Sequence, residues 1–117
     1  MVNSGTQLLK QHFGYEFFLE GQETLVTEIL SGRDVLGIMP TGSGKSLCFQ
    51  VPAMGLPGIT LVISPLISLM HDQVMDLVAA GIPAAYINSS LNPAQTARAL
   101  DNAARGMYRI IYVAPER

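Results

Sequence analysis

A glycine-rich stretch that ends in Gly-Lys-Ser contains the residues best suited to chemistry. It reads Gly-Ile-Met-Pro-Thr-Gly-Ser-Gly-Lys-Ser over residues 37–46. An apolar run, residues 35–39, leads into it, and residues 47–50 have the character of a helix. Strand, loop, Lys-Ser and helix in this order are the layout of a phosphate-binding loop. The alternative is a glycine-rich turn that binds nothing.

The residue types of this loop suit a nucleoside triphosphate with magnesium. Gly42 and Gly44 permit backbone torsions that a side chain would obstruct, so that several N–H groups can point at a phosphate. Lys45 supplies a positive charge for the outer phosphates, and the hydroxyl of Ser46 is the expected magnesium ligand. The predicted phosphate-binding residues are consecutive: Thr41, Gly42, Ser43, Gly44, Lys45 and Ser46.

The loop departs from the general pattern at one position. That pattern has a glycine five residues before the second glycine, where this sequence has Met39. The stretch therefore fits a shorter variant, Thr-Gly-Ser-Gly-Lys-Ser.

Composition limits the class of protein. The 117 residues are 49% hydrophobic and 14% charged, with a formal net charge of −2, which predicts at most one domain with heavily buried elements. No basic block offers itself to nucleic acid, so any such binding needs individually placed groups. Cys48 is the only cysteine, and no apolar run has membrane length, so we expect a reducing, cytosolic setting without a membrane partner.

Hydrophobic periodicity predicts strands that alternate with helices. This alternation predicts an α/β fold, a parallel sheet in three layers with helices on both faces. The predicted strands are 35–39, 59–63, 84–87 and 109–113. The predicted helices are 6–12, 22–31, 45–53 (ended by Pro52, or by Gly55 and Pro57), 67–80, and one from Asn92 to about 105. Asn92 can cap the last of these helices, and Gln95 can reach back to it in a capping box.

Three packing expectations follow from the same patterns. The apolar run 59–63 is typical of a strand covered on both faces. The helix after Asn92 should turn Ala97, Leu100 and Ala104 towards the sheet. The clustered aromatic residues are expected to pack in the interior: Phe13, Tyr15, Phe17 and Phe18.

The predicted strand ends are where a ligand should bind. In open parallel sheets, ligands bind beyond the carboxyl ends of the strands. The segments 40–45, 64–66, 88–91 and 114–117 follow the four predicted strands and are polar or rich in glycine and proline.

Several of these segments, taken in order, resemble the motifs of RecQ-type DNA helicases. Residues 39–50 resemble the family's nucleotide-binding motif, and residues 61–70 with Asp72-Gln73-Val74 resemble the motif that follows. Residues 112–117 resemble the next one. Phe13-Gly14-Tyr15 with Phe18 and Gln22 resembles the upstream adenine-reading motif.

The resemblance implies an ATP-dependent helicase with a RecA-like motor domain that moves 3′ to 5′ along single-stranded DNA. It implies that Gln22 reads the adenine edge and that Tyr15 packs near the base, with ATP and Mg²⁺ as cofactors. It also implies DNA as partner, in the bacterial nucleoid or the eukaryotic nucleus. The implied DNA contacts follow the predicted strands: Ser64, Pro65, Leu66, Asn88, Ser89 and Arg117.

Two departures limit these implications. Leu19 and Glu20 stand where the family has Arg-Pro, which predicts weaker adenine selectivity. The sequence contains no Asp-Glu pair, whereas such helicases need an Asp-Glu-Ala-His motif to position the attacking water.

The expected organisation is therefore one partial motor domain. An upstream adenine-motif region covers about 1–34, and strand–helix units with the loop cover 35–117. Such a piece should bind ATP without hydrolysing it, and the remaining helicase domains would be its partners. The alternatives are a kinase or another phosphate-loop enzyme, and a nucleotide-binding module without catalysis.

Overall fold

The computed structural model describes residues 4–38 and 45–115. The chain divides into two compact units, Met1–Pro57 and Gly58–Arg117. The described elements of the first unit are helical: α1 (Gly5–Leu8), a π-helical turn (Leu9–Phe13), α2 (Gln22–Leu30) and α3 (Leu47–Gly55). Those of the second unit alternate: β1 (Thr60–Ile63), α4 (Ile67–Ala79), β2 (Ala84–Ile87), α5 (Pro93–Ala104) and β3 (Ile110–Val113).

The first unit is held together by close packing among its helices. Helix α3 packs against both α1 and α2. Gly55 leaves room for two leucine side chains, because a Cβ there would lie 2.8 Å from Leu8 Cδ1 and 2.9 Å from Leu30 Cδ2 and would make them shift. Helix α3 also contains Pro52 and continues to Gly55, so the second of the two predicted helix ends is correct.

The strand predicted at 35–39 is not found in its described part. Residues 35–38 have no strand assignment, and Leu36 and Ile38 are 87% and 89% exposed. A strand exists only where its backbone groups pair with a neighbour, and no described residue pairs with this run. An apolar sequence supplies side chains suited to a strand but not the partner. Met39 lies outside the described residues.

The second unit contains a parallel sheet, and its three strands correspond to the predicted strands 59–63, 84–87 and 109–113. Strand order is β1-β3-β2, so β3 lies in the centre. The register pairs Ile110 of β3 with Thr60 on one side and Ala84 on the other. Burial follows this order, because the central Ile110, Ile111 and Tyr112 are 0–3% exposed.

Strand β1 is covered on one face only, which corrects the prediction of burial on both faces. Its residues alternate between half-buried and exposed. Leu61 and Ile63 are 63% and 72% exposed. The strand lies at the edge of the described sheet, and its side chains alternate between two faces. Composition alone could not show that one face lacks a covering layer.

Helix α5 begins as predicted but turns a different face inward. Asn92 and Gln95 form the predicted capping box, with bonds of 2.8 and 2.9 Å. The side chain that joins the core with Ile87 and Ile111 is Ala99. The predicted inward residues Ala97, Leu100 and Ala104 are exposed. The cap fixes where the helix begins, whereas packing on the sheet decides which side is buried. Because each residue advances the helix by about 100°, a shift of one residue in the predicted pattern selects a different face.

The aromatic cluster does not form a core. Phe17 and Tyr15 are 85% and 56% exposed, and Phe13 and Phe18 are half-buried. Residues 14–21 lie in an irregular segment between the π-helical turn and α2, so Tyr15 and Phe17 belong to no regular element that could turn them inward. The interior prediction is wrong for these two residues.

Candidate nucleotide and nucleic-acid sites

The start of α3 places Lys45 and Ser46 together. The carbonyl of Lys45 accepts the N–H of Cys48 at 3.1 Å, and the carbonyl of Ser46 accepts the N–H of Gln50 at 2.9 Å. Lys45 is exposed, and Ser46 occupies the N-cap position without a side-chain capping bond. The predicted loop residues Thr41, Gly42, Ser43 and Gly44 lie outside the described residues.

This arrangement fits a phosphate and a divalent cation. An ammonium group, a hydroxyl that does not cap its own helix and the positive end of a helix dipole are the groups that phosphate and its magnesium ion use. Lys45 and Ser46 would hold the phosphates and the cation, respectively.

A pocket of about 240 Å³ lies beside this helix start in the first unit. Its wall contains Cys48, and burial raises the pKa of that thiol. Gly37 also lines it, where a Cβ would lie 2.8 Å from Leu25 Cδ1. The lining residues are mostly apolar: Leu25, Ile29, Val35, Gly37, Lys45, Cys48 and Phe49. A pocket that is apolar except for one charged side chain is typical of small-molecule sites.

Gln22 is an interior residue rather than a solvated one. It opens α2 and is 1% exposed. Its Oε1 accepts the N–H of Leu19 at 2.7 Å. Tyr15 lies in the same unit and presents 56% of its surface to solvent.

The second unit gathers the predicted DNA-contacting segments at one edge. Residues 64–66 follow β1, residues 88–91 follow β2, and residues 114–115 follow β3. Two backbone bonds of 3.1 Å join these ends. The N–H of Ser64 donates to the carbonyl of Val113, and the N–H of Ala114 donates to the carbonyl of Ile87. The strands are parallel, so all three carboxyl ends meet at this edge.

The predicted contacts at this edge differ in accessibility. Pro65, Leu66 and Ser89 are exposed, and Ser64 is half-buried with its Oγ accepting the N–H of Leu66 at 3.2 Å. Asn88 is 0% exposed. Arg117 lies outside the described residues.

One polar contact in the second unit was not foreseen from the sequence. The hydroxyl of Tyr112, which is 2% exposed, donates to Oε1 of Gln73. This bond ties the central strand β3 to α4. Neither residue carries a local signal for the contact, because they are 39 positions apart in sequence.

The described residues lack two features that would indicate a bound metal or a membrane. They contain no cluster of three or more His, Cys, Asp or Glu side chains that could hold a metal ion. Within the same ranges, no helix has the length and apolar character needed to cross a membrane.

The parallel sheet of the second unit and the helices between its strands define an α/β fold. Among solved structures, a hypothetical ATP-dependent RNA helicase from Sulfolobus tokodaii superposes with a TM-score of 0.73. The superposition covers 98% of this chain and 34% of that one, at 23% identity. At this identity the likeness shows the fold, and it confirms the predicted α/β, RecA-like architecture.

Residues 19–117 match the DEAD/DEAH box helicase family, and the chain belongs to that family. A protein of Haemophilus influenzae named ATP-dependent DNA helicase RecQ is 48% identical over 94% of this chain. Its namesake from Pasteurella multocida is 50% identical over 100% of it. These matches confirm the resemblance to RecQ-type helicases. The chain spans 18% of the length of each of these two relatives.

Proposed function

We propose that this chain is the ATP-binding part of an ATP-dependent DNA helicase of the RecQ type. One observation carries the proposal: relatives with that name are 48% and 50% identical across nearly all of this chain. These names also favour the helicase over the kinase alternative.

The first unit would hold the nucleotide. Lys45 would contact the outer phosphates and Ser46 the magnesium ion, with the pocket at the start of α3 beside them. Magnesium, when bound, neutralises the charge that accumulates on the phosphates. Gln22 is 1% exposed, so it would read the adenine edge only after the surface above it opens; its amide can then both donate and accept, and Tyr15 would pack near the base.

The second unit would contact DNA at the edge where its strands end. The described residues of this edge carry no charged side chain, so binding would depend on backbone N–H groups and short hydroxyls. Such contacts to phosphate oxygens carry no sequence preference, which suits a motor that moves along DNA. We further propose 3′ to 5′ movement, a role in repair or recombination, and a setting in the nucleoid or nucleus.

By itself the chain would bind ATP without turnover. Its sequence has no Asp-Glu pair, and the described residues contain no acidic cluster that could hold a metal ion. The remaining helicase domains would have to supply the groups that activate water. For the isolated chain, a binding module is therefore the better description.

The first test is calorimetric titration of the chain with ATP and Mg²⁺. Lys45→Ala should weaken binding about tenfold or more, because a charge-assisted contact to phosphate is lost. Lys10→Ala is the matched control, since that exposed lysine is paired with Glu16 at 3.5 Å. Equal ATP affinity in both variants would contradict the phosphate role of Lys45, and robust hydrolysis that Lys45→Ala abolishes would contradict the prediction of binding without turnover.

The directional part of the proposal needs the longer protein that contains this sequence. A duplex with a 3′ single-stranded tail should be unwound in the presence of ATP, and one with a 5′ tail should not. Unwinding of the 5′-tailed duplex alone would refute the proposed direction.

A further inference from the structure

Asn88 is a polar residue without access to solvent, placed directly after the edge strand β2. It is 0% exposed, whereas the two residues that follow, Ser89 and Ser90, are both exposed. A side chain in this position cannot touch a polynucleotide while the surface above it stays closed. Asn88 can therefore affect DNA binding only indirectly, by holding neighbouring residues in place.

Both ends of the Asn88 amide are engaged inside the second unit. Oδ1 accepts the N–H of Ser90 at 2.8 Å and the Ser90 hydroxyl at 2.5 Å. Nδ2 donates to Sδ of Met70 on α4 at 3.5 Å. The main-chain carbonyl of Asn88 accepts the N–H of Leu91 at 3.2 Å. One residue therefore closes the turn over 88–91 and anchors it to α4.

The closed turn leaves Ser89 as its accessible donor. Ser89 is exposed, and it takes part in no hydrogen bond within the described part of the chain. The Ser90 hydroxyl already donates its proton to Asn88, so it cannot donate to a ligand at the same time. The hydroxyl and the N–H of Ser89 are the kind of donors that phosphate oxygens accept.

We propose that Asn88 is a positioning residue, which holds the turn so that Ser89 donates to a phosphate of the DNA backbone. The inference rests on the proposed DNA-binding function of the second unit. It assigns the contact to Ser89 and gives Asn88 no contact with DNA.

A double-mutant cycle on this chain tests the assignment. The measurement is fluorescence anisotropy of a labelled oligothymidylate at one fixed low salt concentration. Ser89→Ala should weaken binding about tenfold, the value of one hydrogen bond to a charged group. Asn88→Ala should weaken it at least as much, because the turn that presents Ser89 is lost. The double variant should bind no more weakly than Asn88→Ala alone, since coupled residues are not additive.

The matched control is Asn102→Ala. Asn102 belongs to the same unit, and its Nδ2 donates to the Tyr108 hydroxyl at 3.1 Å, but it lies near the opposite, amino-terminal edge of the sheet. This variant also loses one side-chain hydrogen bond and should bind the oligothymidylate like the unvaried chain.

A second variant carries the test if Asn88→Ala does not fold. Ser90→Ala removes one of the two bonds to Asn88 Oδ1 from an exposed position, so folding should persist. It should weaken binding about two- to threefold, a fraction of one hydrogen bond. The loss should disappear in the Ser89→Ala background.

Three results would overturn the assignment. The first is an unchanged affinity in Ser89→Ala. The second is a double variant in which the losses of Asn88→Ala and Ser89→Ala multiply, since independent losses would mean a direct Asn88 contact. If the unvaried chain binds ATP but no oligothymidylate, the DNA part of the proposed function fails together with the role of Asn88. In the first two cases only the assignment fails.

Discussion

Replacement of Gln22 can distinguish two roles of its side chain, stabilisation of the fold and recognition of adenine. Three glutamines, Gln7, Gln22 and Gln95, accept through Oε1 the backbone N–H three residues earlier, at 2.9, 2.7 and 2.9 Å. Gln7 and Gln95 do so at exposed positions, whereas Gln22 is 1% exposed. Gln22→Ala thus removes a part-buried bond, whereas Gln7→Ala removes an exposed one.

The structure sets different costs for the two variants. At the exposed position, loss of the bond should lower the free energy of unfolding by about 0.5–1.5 kcal/mol. At Gln22 the bond is part-buried, so the N–H of Leu19 loses its acceptor with limited access to water, which costs about 1–3 kcal/mol. The space vacated by the side chain adds about 1 kcal/mol. The expected total for Gln22→Ala is about 2–4 kcal/mol, against a typical stability of about 5–15 kcal/mol.

Urea denaturation followed by circular dichroism measures these costs. Affinities for ATP, GTP and tripolyphosphate are then compared under conditions where both variants are folded. If Gln22 reads adenine, Gln22→Ala should bring the ATP and GTP affinities together and leave the tripolyphosphate affinity nearly unchanged. Gln7→Ala should alter none of the three.

Two results would refute this reasoning in different places. A cost for Gln22→Ala no greater than that for Gln7→Ala would mean that the part-buried bond contributes no more than the exposed one. An unchanged preference for ATP over GTP in folded Gln22→Ala would remove the adenine-reading role, and equal use of both nucleotides by the unvaried chain would remove it at the outset. In the last case Leu19 and Glu20, in place of Arg-Pro, would account for the lost selectivity.

Two further predictions concern the thiol and the sheet edge. Burial raises the pKa of Cys48, so less of the reactive thiolate is present at a given pH. Iodoacetamide at pH 8 should therefore modify the native chain slowly and the urea-unfolded chain quickly. Equal rates of modification would contradict this prediction. Ile63 on strand β1 is 72% exposed, so Ile63→Lys should raise the protein concentration at which aggregation is detected by light scattering. The control is Ile87→Lys, at an 8% exposed position of β2, which should unfold the second unit. No gain in solubility from Ile63→Lys would mean that this face does not drive association.

Features governed by a few neighbouring residues were predictable from sequence. The bounds of β2 and the capping box of Asn92 and Gln95 agree with the prediction. Both features depend on residues within one short segment. Strand β2 is an apolar run between turns, and the capping box is an amide that reaches a backbone group three residues away. The convergence of residues 64–66, 88–91 and 114–115 also followed, because parallel strands place their carboxyl ends together.

The family was predictable for a related reason. The Lys-Ser stretch and the segments after the strands are short motifs in a fixed order, and the match over residues 19–117 confirms the family that this order predicts. The roles of individual residues at these sites were harder to predict, because a motif names a residue type without its depth in the fold.

What lies next to each element was decided only by the tertiary structure. Sequence alone did not show that residues 35–38 lack a strand partner, that Ala99 rather than Leu100 faces the core, or that one face of β1 is open. It also left Gln22 and Asn88 as possible surface residues, and both are buried with their amide oxygens bonded to backbone N–H groups. Local pattern fixes how a segment can fold, but burial depends on surfaces contributed by distant parts of the chain, and no single segment encodes them.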